Sequence, residues 1–120
     1  AELAEVVRWD SAREGRVVID QGDHGDAMYF VLSGAVRVVA RSADGDRELG
    51  ELGPGEVFGE MALFEGDPRS ASVIATRRCR LGRIDRVDFE ELVEEVPGIA
   101  LAICRVLSRR VRTLNDRLAA

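Results

Sequence analysis

Apolar residues recur along this chain in two periods. In the first two thirds they come in short, mostly β-branched runs broken by glycine corners. The first ten residues, AELAEVVRWD, read as a short helix or lead-in strand anchored by Trp9. VVI at 17–19 is a strand, stopped by QGDHGD, where Gly22 and Gly25 among Asp and His residues mark a turn. AMYFVLSGAVRVVA at 27–40 reads as two strands joined at Ser33-Gly34. In the second, Val36, Val38 and Ala40 alternate with Arg37, Val39 and Arg41, which predicts two distinct faces. SADGD at 42–46 is a hairpin signal, because Asp-Gly tolerates the positive φ of such turns. RELGEL at 47–52 follows as a strand, GPGE at 53–56 as a turn, and ASVIAT at 71–76 and CRLGRI at 79–84 as two further strands. Short strands at this spacing predict an all-β sandwich or barrel and exclude alternating β-α units.

The last third has helical period. In DRVDFEELVEEV (85–96) a helix starting at Val87 or Asp88 puts Phe89, Leu92, Val93 and Val96 on one face, and Pro97 ends it or opens the next. Beyond it, Ala100, Ile103, Leu107, Val111, Leu114 and Leu118 step by three or four, close to a heptad seam, with five arginines on the other faces. This stripe packs on the β domain, pairs with a second copy or covers a ligand; periodicity does not separate the three. A helix of about 20 residues reaches about 30 Å, more than one small sandwich is wide, so part of the stripe is expected to meet another surface.

Composition narrows the function. The 120 residues suit one domain, here 1–120, with one core. No apolar run approaches the roughly 20 residues of a membrane span, and no secretory leader is recognisable. A cytoplasmic protein is the expectation, with Cys79 and Cys104 as reduced small hydrophobes. The net charge of −5 argues against direct nucleic-acid contact by this chain. His24 is the lone histidine, so a cupin-type metal centre cannot be assembled, and no metal site is expected. No nucleophile, base and orienting group stand together, so no enzyme is expected.

The candidate chemistry lies in GEMALFEGDPRSASV, 59–73. EMALF as one or two helical turns offers free backbone N–H groups suited to an anion. Arg69 adds a two-pronged charged grip on phosphate oxygens, and Ser70 a hydroxyl donor. Pro68 fixes the backbone just before Arg69, and Ala71 keeps bulk low. Glu60 does not suit the phosphate itself. It suits a pair of sugar hydroxyls, or one hydroxyl together with Arg69. A phosphate next to a ribose meets both demands. The competing reading is a surface turn with an Arg–Glu ion pair of little energetic worth.

FGEMALFEGDPRSASV (58–73) resembles the phosphate-binding cassette of the cyclic nucleotide-binding domain family. GRVVIDQGDHGDAMYFVLSGAVRV (15–38) and LGPGEVFGE (52–60) resemble that family too, so the resemblance covers nearly all of the chain. It implies a mainly β fold: an eight-stranded antiparallel jelly-roll barrel over about 7–85, a hinge helix at 86–95 and a lid or dimer helix at 97–118. It implies that Glu60 binds the ribose 2′-hydroxyl, that Arg69 pairs with the cyclic phosphate and that Ser70 serves phosphate or base. Backbone N–H groups near Gly59, Met61, Ala62 and Ala71 would complete the cradle. Bacterial relatives often meet adenine with a Thr-Ser pair where this chain has Leu114 and Asn115, leaving Asn115 as the polar handle. The implied ligand is cAMP, with cGMP as the alternative, and no cofactor. The implied role is a sensor module read out through the C-terminal helices, tethered to an effector domain, with homodimerisation through 97–118 open to it. A jelly-roll interaction domain that binds no ligand is the alternative.

Overall fold

The computed structural model describes residues 7–60, 63, 66 and 68–119, and for Leu114, Asn115 and 117–119 the helical backbone alone. Eight strands occur among these residues: β1 Arg8–Ala12, β2 Val17–Ile19, β3 Ala27–Ser33, β4 Val36–Ser42, β5 Gly45–Leu52, β6 Val57–Phe58, β7 Ser72–Ala75 and β8 Cys79–Asp85. Two helices follow, α1 Arg86–Glu95 and α2 Gly98–Ala119. Trp9 thus lies in a strand, half-exposed, with its ring edge-on to Phe30.

The strands do not close into the expected jelly-roll barrel. They form two four-stranded antiparallel sheets, β1-β8-β3-β6 and β2-β7-β4-β5. Closure needs each strand paired on both sides. Here β6 has two residues and β2 three, too few for a second ladder. The other two edge strands, β1 and β5, are exposed along nearly their whole length.

Side chains from both sheets meet in one apolar layer, which includes Ile19, Val31, Val36, Phe58, Val73 and Leu81. A second layer lies on the other face of the first sheet. Met28, Val57 and Ile84 meet Leu63, Phe89 and Leu92 there, with Ile103 of α2. Strict alternation along β3 and β8 serves both layers, since Val31 and Leu81 point one way and Met28 and Ile84 the other.

Two of the patterns take on detail in the structure. In β4, Val36 is buried and Val38 packs half-buried on the same apolar layer, as the alternation predicts, while Val39 is buried as well. The β4–β5 register jumps from Val38↔Gly50 to Val39↔Glu48, so Leu49 is an extra residue in a bulge. The bulge breaks the period of two in β5, which no alternation rule anticipates. In α2 the stripe splits. Ile103 is buried and Ile99, Val106 and Leu107 pack beside it, whereas Val111 is exposed. Among the described residues no helix is long and apolar enough to cross a membrane.

Candidate functional site

β6 ends at Phe58, and Gly59 turns the chain with φ +80. That angle is strained for residues with a Cβ. The turn delivers Glu60 into the interior, where it is 6% exposed and helical. From the other direction Pro68-Arg69-Ser70 leads into β7.

Arg69 is held at backbone and side chain. Its N–H donates to the Asp23 carbonyl at 2.8 Å, and its carbonyl accepts from the Gly22 N–H at 2.8 Å. The QGDHGD corner, readable in sequence only as a turn, is therefore the mount for this arginine. Its guanidinium donates from Nη1 to the Gly59 carbonyl and from Nη2 to the Ala27 carbonyl, each at 2.9 Å. A Cβ at Gly25 would lie 2.7 Å from Nη2, and one at Gly59 would lie 2.8 Å from Nη1. Both glycines are the space the guanidinium needs. Burial pulls the pKa of Arg69 below the ordinary arginine value, against the opposing pull of Tyr29, Asp26 and Glu60. The charged form is thus under-solvated, a state that an anion relieves.

Glu60 does not pair with Arg69. Its Oε1 accepts from Arg110 Nη1 of α2 at 2.5 Å, with the two side chains 7% and 31% exposed. Nε and Nη2 of Arg110 are buried and have no hydrogen-bond partner among the described residues. The surface-turn reading of an Arg69–Glu60 ion pair fails on this geometry.

Gly59, Glu60, Arg69, Ser70 and Ala71 all line one cavity of about 360 Å³, within the usual range of roughly 300–1,000 Å³ for small-ligand sites. Ser70 is exposed and its hydroxyl has no partner among the described residues. Ile19, Val38, Leu52, Phe58 and Val73 form an apolar floor. Met61 and Ala62 lie outside the described residues, as does the side chain of Asn115. Arg110 was missed in sequence as one of five arginines on a helix; its proximity to the apolar seam was the available signal. Leu49 was missed because the bulge sets its direction. Among the described residues no group of three or more His, Cys, Asp or Glu side chains is placed to hold a metal ion.

The family model for the cyclic nucleotide-binding domain matches residues 9–96. The chain belongs to the cyclic nucleotide-binding domain family. Among its relatives is the cyclic AMP receptor protein of Thermus thermophilus, 40% identical over 106 residues, or 88% of this chain and 49% of that one. The lysophospholipase nte1 of Aspergillus terreus is 35% identical over 112 residues, 92% of this chain and 7% of that protein. The crystal structure of a cyclic nucleotide-binding domain from Methylobacillus flagellatus superposes with a TM-score of 0.89 at 25% identity, covering 98% of this chain and 68% of that one. The chain thus spans about half of one curated relative and a small part of the other.

Proposed function

We propose that this chain, as one module over 1–120, binds cAMP in the cavity between the two sheets and α2, and reports occupancy through α2. One observation carries the reading: Arg69 with Ser70 and the Glu60–Arg110 pair line the same cavity. A guanidinium has five N–H donors, and two of those on Arg69 are committed to carbonyls, so 5 − 2 leaves three for a cyclic phosphate. The Glu60 carboxylate suits ribose hydroxyls, but Arg110 already occupies it. A ribose at Glu60 therefore competes with Arg110 or shares the carboxylate with it. Either outcome changes what holds α2 to the sheets. The ligand favours the arrangement of α2 that leaves Glu60 available, which is a two-state shift rather than covalent chemistry. In this reading Glu60, Arg69 and Ser70 are binding residues, Gly59 and Ala71 shape the cradle with Met61 and Ala62, and Asn115 stands near the base.

The preference for cAMP over cGMP is supported by the Thermus relative, whose name is that of a cyclic AMP receptor. The effector is read as a separate domain of a longer cytoplasmic protein, because each curated relative extends well beyond the matched region. Self-association through α2 is the proposed quaternary contact, and no nucleic acid is expected to touch this module.

Calorimetric titration with cAMP tests the proposal, with Arg69→Ala alongside. Saturable binding is expected, weakened at least about a hundredfold in the variant, since a desolvated phosphate loses its charged partner. No heat and no binding with either cAMP or cGMP would leave an interaction domain as the better account.

A further inference from the structure

The β4–β7 ladder stops at the edge of the cavity. Its register runs from Val36↔Ala75 to Val39↔Ser72. Carried further, that register would set Ser70 opposite Arg41 and draw Ser70 into the sheet. β7 instead begins at Ser72, and Arg69, Ser70 and Ala71 line the cavity. The backbone of Arg41 is satisfied by a side chain. Its N–H donates to Oε1 of Gln21 at 2.7 Å, and its carbonyl accepts from Nε2 of Gln21 at 3.2 Å. The Gln21 carboxamide thus stands where a strand rung would, with one acceptor and one donor.

Gln21 is itself fixed on both sides. Its N–H donates to Oγ of the buried Ser72 at 2.9 Å, and that hydroxyl donates to Asp20 Oδ1 at 3.2 Å. Nη2 of Arg41 donates to the same Asp20 oxygen at 3.2 Å and to the Gln21 carbonyl at 3.3 Å. The next two residues, Gly22 and Asp23, hold the backbone of Arg69. Gln21 therefore joins the two walls of the cavity. Arg69, Ser70 and Ala71 form one, and Val38 of β4 with Leu49, Gly50 and Leu52 of β5 form the other.

We propose that Gln21 is a positioning residue for the anion grip: its carboxamide closes the open end of β4 and so keeps Arg69 and Ser70 turned into the cavity. The inference rests on the cyclic-nucleotide reading above. Gln21 does not line the cavity, so it acts through Arg69 and Ser70 and not on the ligand. Without the carboxamide, the bare N–H and carbonyl of Arg41 are a template for the nearest backbone. The register makes that backbone Ser70.

The test is calorimetric titration with cAMP and cGMP, with the melting temperature measured beside each titration. The chains are the wild type, Gln21→Met, Gln21→Glu, Thr76→Val, Arg69→Lys and Gln21→Met combined with Arg69→Lys. Gln21→Met keeps the side-chain length and removes both bonds to Arg41. It is expected to lose about tenfold in cAMP affinity, the worth of two exposed hydrogen bonds. Gln21→Glu keeps the acceptor for the Arg41 N–H and loses the donor, so a loss of about threefold is expected. It carries the test if Gln21→Met does not fold. Thr76→Val is the control for stability alone. Thr76 Oγ1 donates to the Ala35 carbonyl at 3.1 Å, at the far end of the same ladder. Its loss should lower the melting temperature and leave affinity unchanged. Lysine at position 69 keeps the charge without the fork, so adding Gln21→Met to it should cost at most about twofold more. Unchanged affinity in the Gln21 variants, an equal loss in Thr76→Val, or fully additive losses in the double variant each overturns the assignment. Binding of neither nucleotide by the wild type is a different failure. It removes the cyclic-nucleotide reading and this inference with it.

Discussion

Arg69 owes its position to side chains that are not there. The guanidinium passes between Gly25 and Gly59, and a methyl group on either would sit within 2.8 Å of an Nη nitrogen. Gly59 adds a backbone reason, its φ of +80. Gly59→Ala is therefore expected to cost about 1–2 kcal/mol from the backbone and, separately, to push the guanidinium out of register. Gly15 provides the control, because it has φ +87 but open space around its missing Cβ. Both alanine variants should melt earlier, Gly59→Ala the more because its Cβ also meets Arg69 and the Ala27 carbonyl, whereas cyclic-nucleotide affinity should fall in Gly59→Ala alone. Equal affinities for the two variants would mean that Gly59 matters only as a turn. Arg69, Ser70 and Glu60 were singled out from residue types and spacing, and the structure places all three on one cavity. The grip on Arg69 was not legible, because its carbonyl partners at Ala27 and Gly59 are 42 and 10 residues away in sequence.

At the scale of elements, α2 carries two surfaces. Ile99, Ile103, Val106 and Leu107 hold it on the first sheet and α1. Further along, Arg110 ties it to Glu60. Breaking a buried ion pair by removing one partner costs about 3–5 kcal/mol, because the other charge is left unpaired. Arg110 is about one third exposed, so Arg110→Met is expected to cost about 3 kcal/mol, at the lower end of that range. Glu60→Gln in the same chain should recover much of that loss, since no unpaired charge remains. Chemical denaturation of the two single variants and the double variant measures this coupling. Strictly additive losses would show that the pair contributes nothing between its members. Hydrophobic period located both helices to within a few residues, and Phe89 and Leu92 are buried as that period demands. It could not say which of the arginines turns inward, since a charged residue beside an apolar seam is compatible with solvent or with a buried carboxylate.

Across the whole molecule, the outward side of α2 presents Leu101, Cys104, Ser108 and Val111, spaced by three, four and three, with Leu101 54% and Val111 58% exposed. Such a seam on an uncovered helix face fits a second copy of the same helix. Sedimentation velocity of the wild-type chain is expected to show a concentration-dependent dimer. Replacing both Leu101 and Val111 by glutamate should leave a monomer that retains its fold. A wild type that stays monomeric at high concentration would assign the exposed stripe to some other surface. The sequence by itself determined most of the strands, both helices and the glycine corners, because these follow from local period and turn preference. Only the tertiary structure decided that eight strands make two open sheets rather than a barrel, since closure depends on the lengths of edge strands and on which edges meet. Tertiary packing also decided that Glu60 answers to Arg110 and not to Arg69, because a partner 50 residues away is chosen by how α2 lies across the sheets.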